Sequence, residues 1–236
     1  MNITMQAVGD SAVKVNFTGR VTPELNTAIQ SFCHKLEQVL IDGVIEWVPA
    51  FDSVTIYYQP QKLVYKEITE KINDLFEMPA VQNERSSRTI QVPVLYGGLY
   101  APDLERVAEY NGLNVNDVIR IHQEKEYLVY MLGFLPGFPY LGGLDKRIAT
   151  PRLEEPRAKT FAGAVGIAHE QTGIYPVESP GGWNIIGKTP LELFDQDKFL
   201  FRLGDHIQFY SVEENVFAQI KEQIRNDTFK MIITEG

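Results

Sequence analysis

A single cysteine, Cys33, stands among 236 residues. No disulfide can form within the chain, so its stability must come from packing. No stretch approaches the roughly 18 apolar residues of a membrane-spanning helix, and no membrane partner is expected. The start, MNITMQAVGD, lacks a basic stretch followed by an apolar one. No secretory leader is expected, and with the lone cysteine this fits a cytoplasmic location. Basic residues are few, 22 Lys and Arg against 31 Asp and Glu, for a net charge of −9. Nucleic acid needs a basic face and is not an expected partner. Neither a His-Glu-x-x-His pair nor paired cysteines occur, so no metal is expected. A Gly-x-Ser-x-Gly elbow is missing as well. Gly187-Lys188-Thr189 resembles the end of a phosphate loop, but the spacing from Gly182-Trp183 reads as wrong and no clear helix follows it.

What is present is an ordinary globular mixture, 44% hydrophobic and 22% charged, long enough for one large domain or two small ones. Residues 1–80 read as a small α/β domain. Met5–Val8 and Val13–Phe17 are expected strands, the second alternating apolar and polar residues. Thr22 and Pro23 open a helix as cap and first residue. Leu25, Ile29, Phe32, Leu36 and Val39 give it one apolar face, with Cys33 in the core and Gly43 as the stop. Val44–Val48 and Ser53–Tyr58 read as strands. Val64, Ile68, Ile72, Leu75 and Phe76 mark a second helix. Two helices on one face of a sheet are the natural arrangement.

Residues 81–88 contain a polar run from Gln82 to Arg88 and read as a linker. A second domain, 89–236, opens with a strand, Thr89–Tyr96. Helices are expected over Pro102–Tyr110 and, capped by Asn114, over Val115–Gln123. Between residues 133 and 187 lie ten of the chain's 18 glycines, a density helices do not tolerate. Short strands and shaped loops are expected there, with further strands at Ala164–Ala168, Phe199–Leu203 and His206–Tyr210. A closed or nearly closed β-barrel accommodates many short strands. Residues 213–225 read as a terminal helix. The fold class expected is α+β.

Four segments mix glycine, proline, aromatic and polar residues: 130–144, 151–157, 166–176 and 179–190. Such loops line a pocket or a partner surface, or they are plain barrel turns. Lys146, Arg147, Arg152, Arg157 and Lys159 form a local basic patch. Arg152 and Arg157 each follow a proline, and their forks suit carboxylates or phosphates. Alternatively they pair with Glu154 and Glu155 in a solvated loop. His122, on the face of its helix shared with Val118, has two readings: a general acid or base, or a structural residue.

The segments MLGFLPGFPYLGGLD, PRLEEPR, AGAVGIAHEQTGIYP and SPGGWNIIGKTPLELFD closely resemble the hallmarks of the KipI family, also called allophanate hydrolase subunit 1 or the 5-oxoprolinase B subunit. Gly9-Asp10-Ser11, Glu46–Phe51 and Arg202–Asp205 extend the resemblance along nearly the whole chain. The chain departs from the family at Phe161 and Ala164 and at His169-Glu170. The resemblance implies a small N-terminal α/β sandwich followed by a cyclophilin-like β-barrel with a C-terminal helix. It also implies ATP-dependent opening of the 5-oxoproline lactam, with ATP as co-substrate and homologues of subunits A and C as partners. The resemblance places residues in loops without assigning roles; for this chemistry the candidates are His122 for proton transfer and Gln171, Thr172 and Tyr175 for orienting the substrate by hydrogen bonds. Arg152, Arg157 and Lys188 are the candidates for binding anions, and Phe134, Phe138 and Tyr140 for facing a partner. The same family name implies an alternative, inhibition of a sensor histidine kinase. Prolyl isomerisation follows from the fold analogy alone.

Overall fold

The computed structural model describes residues 2–79, 88–195 and 198–235. Most of the expected linker, residues 81–87, lies outside the described residues. The chain separates into two compact units, Met1–Ser86 and Ser87–Gly236.

The first unit runs β1 (Ile3–Val8), β2 (Ala12–Phe17), α1 (Pro23–Val39), β3 (Val44–Pro49), β4 (Ser53–Tyr58) and α2 (Tyr65–Glu77). Its sheet has the order β1-β2-β4-β3, antiparallel throughout. Alternation in β2 sends Val13, Val15 and Phe17 into the core, where they meet Leu25, Ile29, Phe32 and Leu36 of α1. The Thr22 hydroxyl accepts from the Leu25 N–H at 3.3 Å, a helix N-cap. Cys33 is part of this core, and burial pushes its thiol up to about 12. Helix α1 does not run to Gly43. It stops at Val39, and Leu40 takes the left-handed conformation (φ 44°) that ends it. Lys35 is buried and donates to the Leu75 and Met78 carbonyls at 3.1 and 2.7 Å. It places a cation at the negative end of α2 and ties the two helices together.

The second unit begins with β5 (Arg88–Tyr96), α3 (Leu104–Tyr110), α4 (Val115–Gln123), β6 (Glu126–Leu132), β7 (Pro139–Gly142) and β8 (Arg157–Thr160). It continues with β9 (Ala164–Ala168), β10 (Gln171–Ile174), β11 (Ser179–Gly181), β12 (Asn184–Lys188), β13 (Phe194–Asp195) and β14 (Lys198–Phe199). β15 (His206–Ser211), α5 (Glu214–Arg225) and β16 (Ile233–Glu235) complete it. Seven strands close a barrel in the order β12-β9-β10-β7-β6-β15-β5, with β5 returning to β12. Only β15 and β5 of this ring run parallel. β5 serves two neighbours along one edge: β16 pairs with Arg88–Ile90, β12 with Leu95 and Tyr96. Closure requires Gly187, because a Cβ there would lie 2.6 Å from Val94 Cγ1 and 3.0 Å from the Leu95 carbonyl. Val92, Val129, Leu141, Val165, Ile167, Ile174 and Ile207 fill the barrel, and α3 and α4 add Val107, Val118 and Ile121. The α+β class, a small first unit followed by a barrel, is therefore the fold observed.

Two local expectations change. Phe199–Leu203 is not a strand beyond Phe199; a turn at Leu203-Gly204 follows. The Asp205 carboxylate accepts from the Arg202 N–H at 2.8 Å and takes both arms of Arg88 at 3.0 and 2.5 Å. A side chain thus satisfies backbone that a ladder would otherwise use. Helix α3 starts at Leu104 rather than Pro102, and Asp103 before it is committed elsewhere.

Candidate functional site

β7, β11 and the loops around them bring Phe134, Phe138, Tyr140, Arg152, Tyr175 and Trp183 to the walls of one cleft of about 170 Å³. The aromatic wall is interlocked. Phe138 meets Trp183 and Tyr175 edge to face at 5.4 and 5.2 Å and lies 4.7 Å from Tyr140. Phe138 is buried and so is part of the frame. Of the three residues expected to face a partner, Phe134 alone is well exposed, 68%, while Tyr140 is half-buried. Phe134 also holds a left-handed backbone, φ 68°, a conformation a bulky residue adopts only when its surroundings impose it.

Arg152 lies over Trp183, its guanidinium carbon 5.9 Å from the ring centre. Its backbone is fixed on both sides. Asn184 donates to the Pro151 carbonyl at 2.8 Å, and the Leu153 N–H bonds the Gly182 carbonyl at 2.7 Å. Asn184 is itself fully buried, donating also to Ile167 and accepting from Arg106. The Tyr175 hydroxyl packs so closely on Gly181 that a Cβ there would be 2.3 Å away. Burial raises the Tyr175 phenol above its ordinary value, opposed by the Trp183 backbone, Arg152 and Arg157.

The basic patch resolves into unlike members. Lys146 pairs with Glu170, Arg147 with Asp145 and Glu124, Arg157 with Asp103, and Lys159 with Glu178. Glu154 and Glu155 take none of them. Among the described residues, Arg152 has no acidic partner. Arg157 does not offer a free fork: it holds the buried Asp103 and the Trp183 carbonyl at 3.3 Å. The second Asp103 oxygen accepts from the Ile185 N–H at 2.6 Å.

His122 and Thr172 are fully buried and away from the cleft. The Tyr96 hydroxyl lies 2.8 Å from Nδ1 of His122, and Nε2 lies 2.9 Å from the Thr172 oxygen. Thr172 donates onward to the Gly166 carbonyl at 3.0 Å. That commits the Thr172 proton, so Nε2–H must donate to Thr172 and Nδ1 must accept from Tyr96. The ring stacks on Phe209 at 4.5 Å, and burial lowers its pKa to about 3. This neutral ring links α4, β5 and β10. Gln171 opens β10 and is half-buried. Lys188 lies against Tyr100 and Phe161, outside the cleft lining. Gly182 and Gly187-Lys188-Thr189 do satisfy phosphate-loop spacing, but β12 runs through the stretch and pairs on both sides with β9 and β5. Its backbone N–H groups cannot cradle a phosphate as an open loop does.

Sequence reasoning missed Trp183, Asp103, Asn184 and Arg106. Trp183 sits inside a segment already singled out, so its signal was available. The other three show no local pattern, because their partners are distant in sequence. Among the described residues, no group of three or more His, Cys, Asp or Glu is placed to hold a metal, and no helix is long and apolar enough to cross a membrane.

Residues 3–200 match the family described as carboxyltransferase domain, subdomain C and D. The 5-oxoprolinase B subunit of Bacillus subtilis is 41% identical over 233 residues, covering 93% of this chain and 97% of that one. The corresponding protein of Escherichia coli O157:H7 is 38% identical over 214 residues, covering 89% and 96%. The K. lactis urea amidolyase structure superposes with a TM-score of 0.81 at 22% identity, a likeness of fold. It spans 99% of this chain but only 16% of the amidolyase. On these matches the chain belongs to the family of 5-oxoprolinase B subunits, within the carboxyltransferase subdomain C and D proteins.

Proposed function

We propose that this chain is the B subunit of an ATP-dependent 5-oxoprolinase, acting in the cytoplasm with subunits A and C to open the lactam to glutamate. One observation carries the site assignment: in the basic patch, Arg152 is the cation left without an acidic partner, and it stands in an aromatic cleft. A guanidinium so placed suits the carboxylate of the substrate, a planar anion it can grip with two donors. The lactam is unstrained and resists water. ATP, as co-substrate of the complex, would turn the carbonyl oxygen into a leaving group. In this reading Arg152 binds the carboxylate, Trp183 and Phe138 shape the apolar side, and Tyr140 and Tyr175 present hydroxyls. Arg157, Gln171, Thr172 and His122 position these groups.

The test is 5-oxoproline-dependent ATP turnover by the reconstituted complex. Turnover is expected only with subunits A and C present. Arg152→Lys keeps the charge and loses the fork, and a fall of about 10- to 100-fold is expected with unaltered folding. Wild-type turnover by Arg152→Lys would remove the assignment. A second reading, inhibition of a sensor histidine kinase, is favoured by Phe134, exposed on a strained backbone. Unchanged autophosphorylation across the host's sensor kinases, with micromolar amounts of this chain present, would eliminate it.

A further inference from the structure

Lys188 leaves the barrel wall at the end of β12, opposite Leu95 and Ala164. Its ammonium lies 4.7 Å from the Tyr100 ring centre and 5.0 Å from that of Phe161. Those two rings meet edge to face at 5.8 Å, and Tyr100 stacks on Phe217 of α5 at 5.9 Å. Lys221 follows Phe217 by four residues, on the same face of α5. Burial, and then the charge of Lys221, hold the Lys188 ammonium below its ordinary pKa.

Lys62, Lys66, Lys125, Lys146 and Lys159 each have a carboxylate partner. Among the described residues, neither Lys188 nor Lys221 has one, as is also true of Lys14, Lys71 and Lys230; only Lys188 lies over two aromatic rings. Aromatic faces hold a cation in place but do not neutralise it. Lys188, half-buried, and Lys221, one helical turn beyond the Phe217 ring on which Tyr100 stacks, therefore remain uncompensated on a chain of net charge −9. Each is a compact point charge with three donors, and the several oxygens of a phosphate dianion can accept from both at once. A single carboxylate would neutralise only one of them.

We propose that Lys188 and Lys221 form a phosphate site, for free phosphate or a nucleotide's phosphates, with Tyr100 and Phe161 fixing the Lys188 ammonium. The site shares no residue with the Arg152 cleft and does not depend on its assignment.

The test titrates the full chain at constant ionic strength, following the Lys188 side-chain resonance by NMR and the heat by calorimetry. Inorganic phosphate is expected to shift Lys188 saturably, and acetate is not. Lys221→Gln, an exposed substitution, is expected to weaken phosphate about tenfold, while Arg152→Lys leaves it unchanged. ADP saturating well below the phosphate concentration would identify the nucleotide as the source; equal concentrations would identify free phosphate. The proposal is overturned by any of three results: no saturable shift, an equal response to acetate, or unaltered binding in Lys221→Gln.

Discussion

Among the described residues, the buried polar side chains of the first unit are Asn26, Lys35 and Ser53; in the barrel unit they include Asp103, His122, Thr150, Thr172 and Asn184. The first unit is built mainly from periodic apolar elements of six residues or more. The barrel has strands as short as four residues, such as β7 and β10, too short to fix their own register by apolar alternation. It uses buried hydrogen bonds instead: Asp103 to Arg157 and Ile185, Asn184 to Pro151 and Ile167, His122 to Thr172. The Asp103 and Asn184 bonds hold backbone beside the cleft, and the His122 bond ties α4 to β10. Apolar packing tolerates adjustment, whereas a buried polar group without its partner is costly.

The contrast is open to direct attack, because each unit carries one tryptophan, Trp47 in the first and Trp183 in the barrel. The largest effect is expected from Asp103→Ala, which strands Arg157 and the Ile185 N–H. A loss of about 3 kcal/mol is expected, the low end for a broken buried pair because Arg157 is partly exposed. Urea unfolding in a Trp47→Phe background should show it through Trp183. If the first-unit reporter moved equally in a Trp183→Phe background, the contrast between the units would fail.

Next comes pH. The His122 pKa falls from 6.5 to about 3 on folding, so the unfolded chain binds more protons between those values. The stability due to its neutral state is full above about 6.5 and is eroded as pH drops toward 3. The barrel midpoint should fall through that window, and His122→Gln should flatten the dependence while lowering the plateau. An unchanged slope would show that His122 does not titrate on unfolding.

Lys35→Met should cost the first unit about 1–3 kcal/mol, since two carbonyls at the end of α2 lose their donor. Thermal unfolding followed by Trp47 reads it, and no loss would mean water replaces the ammonium. The smallest effect belongs to Phe134→Gly. Relief of the left-handed backbone should leave barrel stability within about 1 kcal/mol of wild type, or slightly higher. A larger loss would make Phe134 a folding residue and weaken the case for a partner there.

How much of this was legible in the sequence follows from the same contrast. Thr22-Pro23, Asn114 and the apolar faces of α1, α2 and α4 are local signals, and the elements they announce form with ends shifted by a residue or two. Gly43 misled as a helix stop because Leu40 takes the left-handed conformation three residues earlier. The glycine-rich texture of residues 133–187 announced short strands but not their pairing. β16 had no warning at all, since its only partner among the described residues is β5, more than a hundred residues away. Residue types in the 151–157 segment pointed to anion binding, yet Arg152 and Arg157 look alike in sequence, each preceded by proline.

The sequence by itself determined the periodic elements, the absence of a disulfide, and, through four long motifs, the family. Those depend on neighbouring residues or on whole segments, which are written in order along the chain. Tertiary structure alone decided which cations stay free. Asp103 reaches Arg157 across 54 positions, and Tyr96 and Thr172 meet His122 across 26 and 50. Charge and proton state depend on distance in space. Barrel closure therefore pairs Arg157 with Asp103, encloses His122 between Tyr96 and Thr172, and gives Arg152 no acidic partner among the described residues.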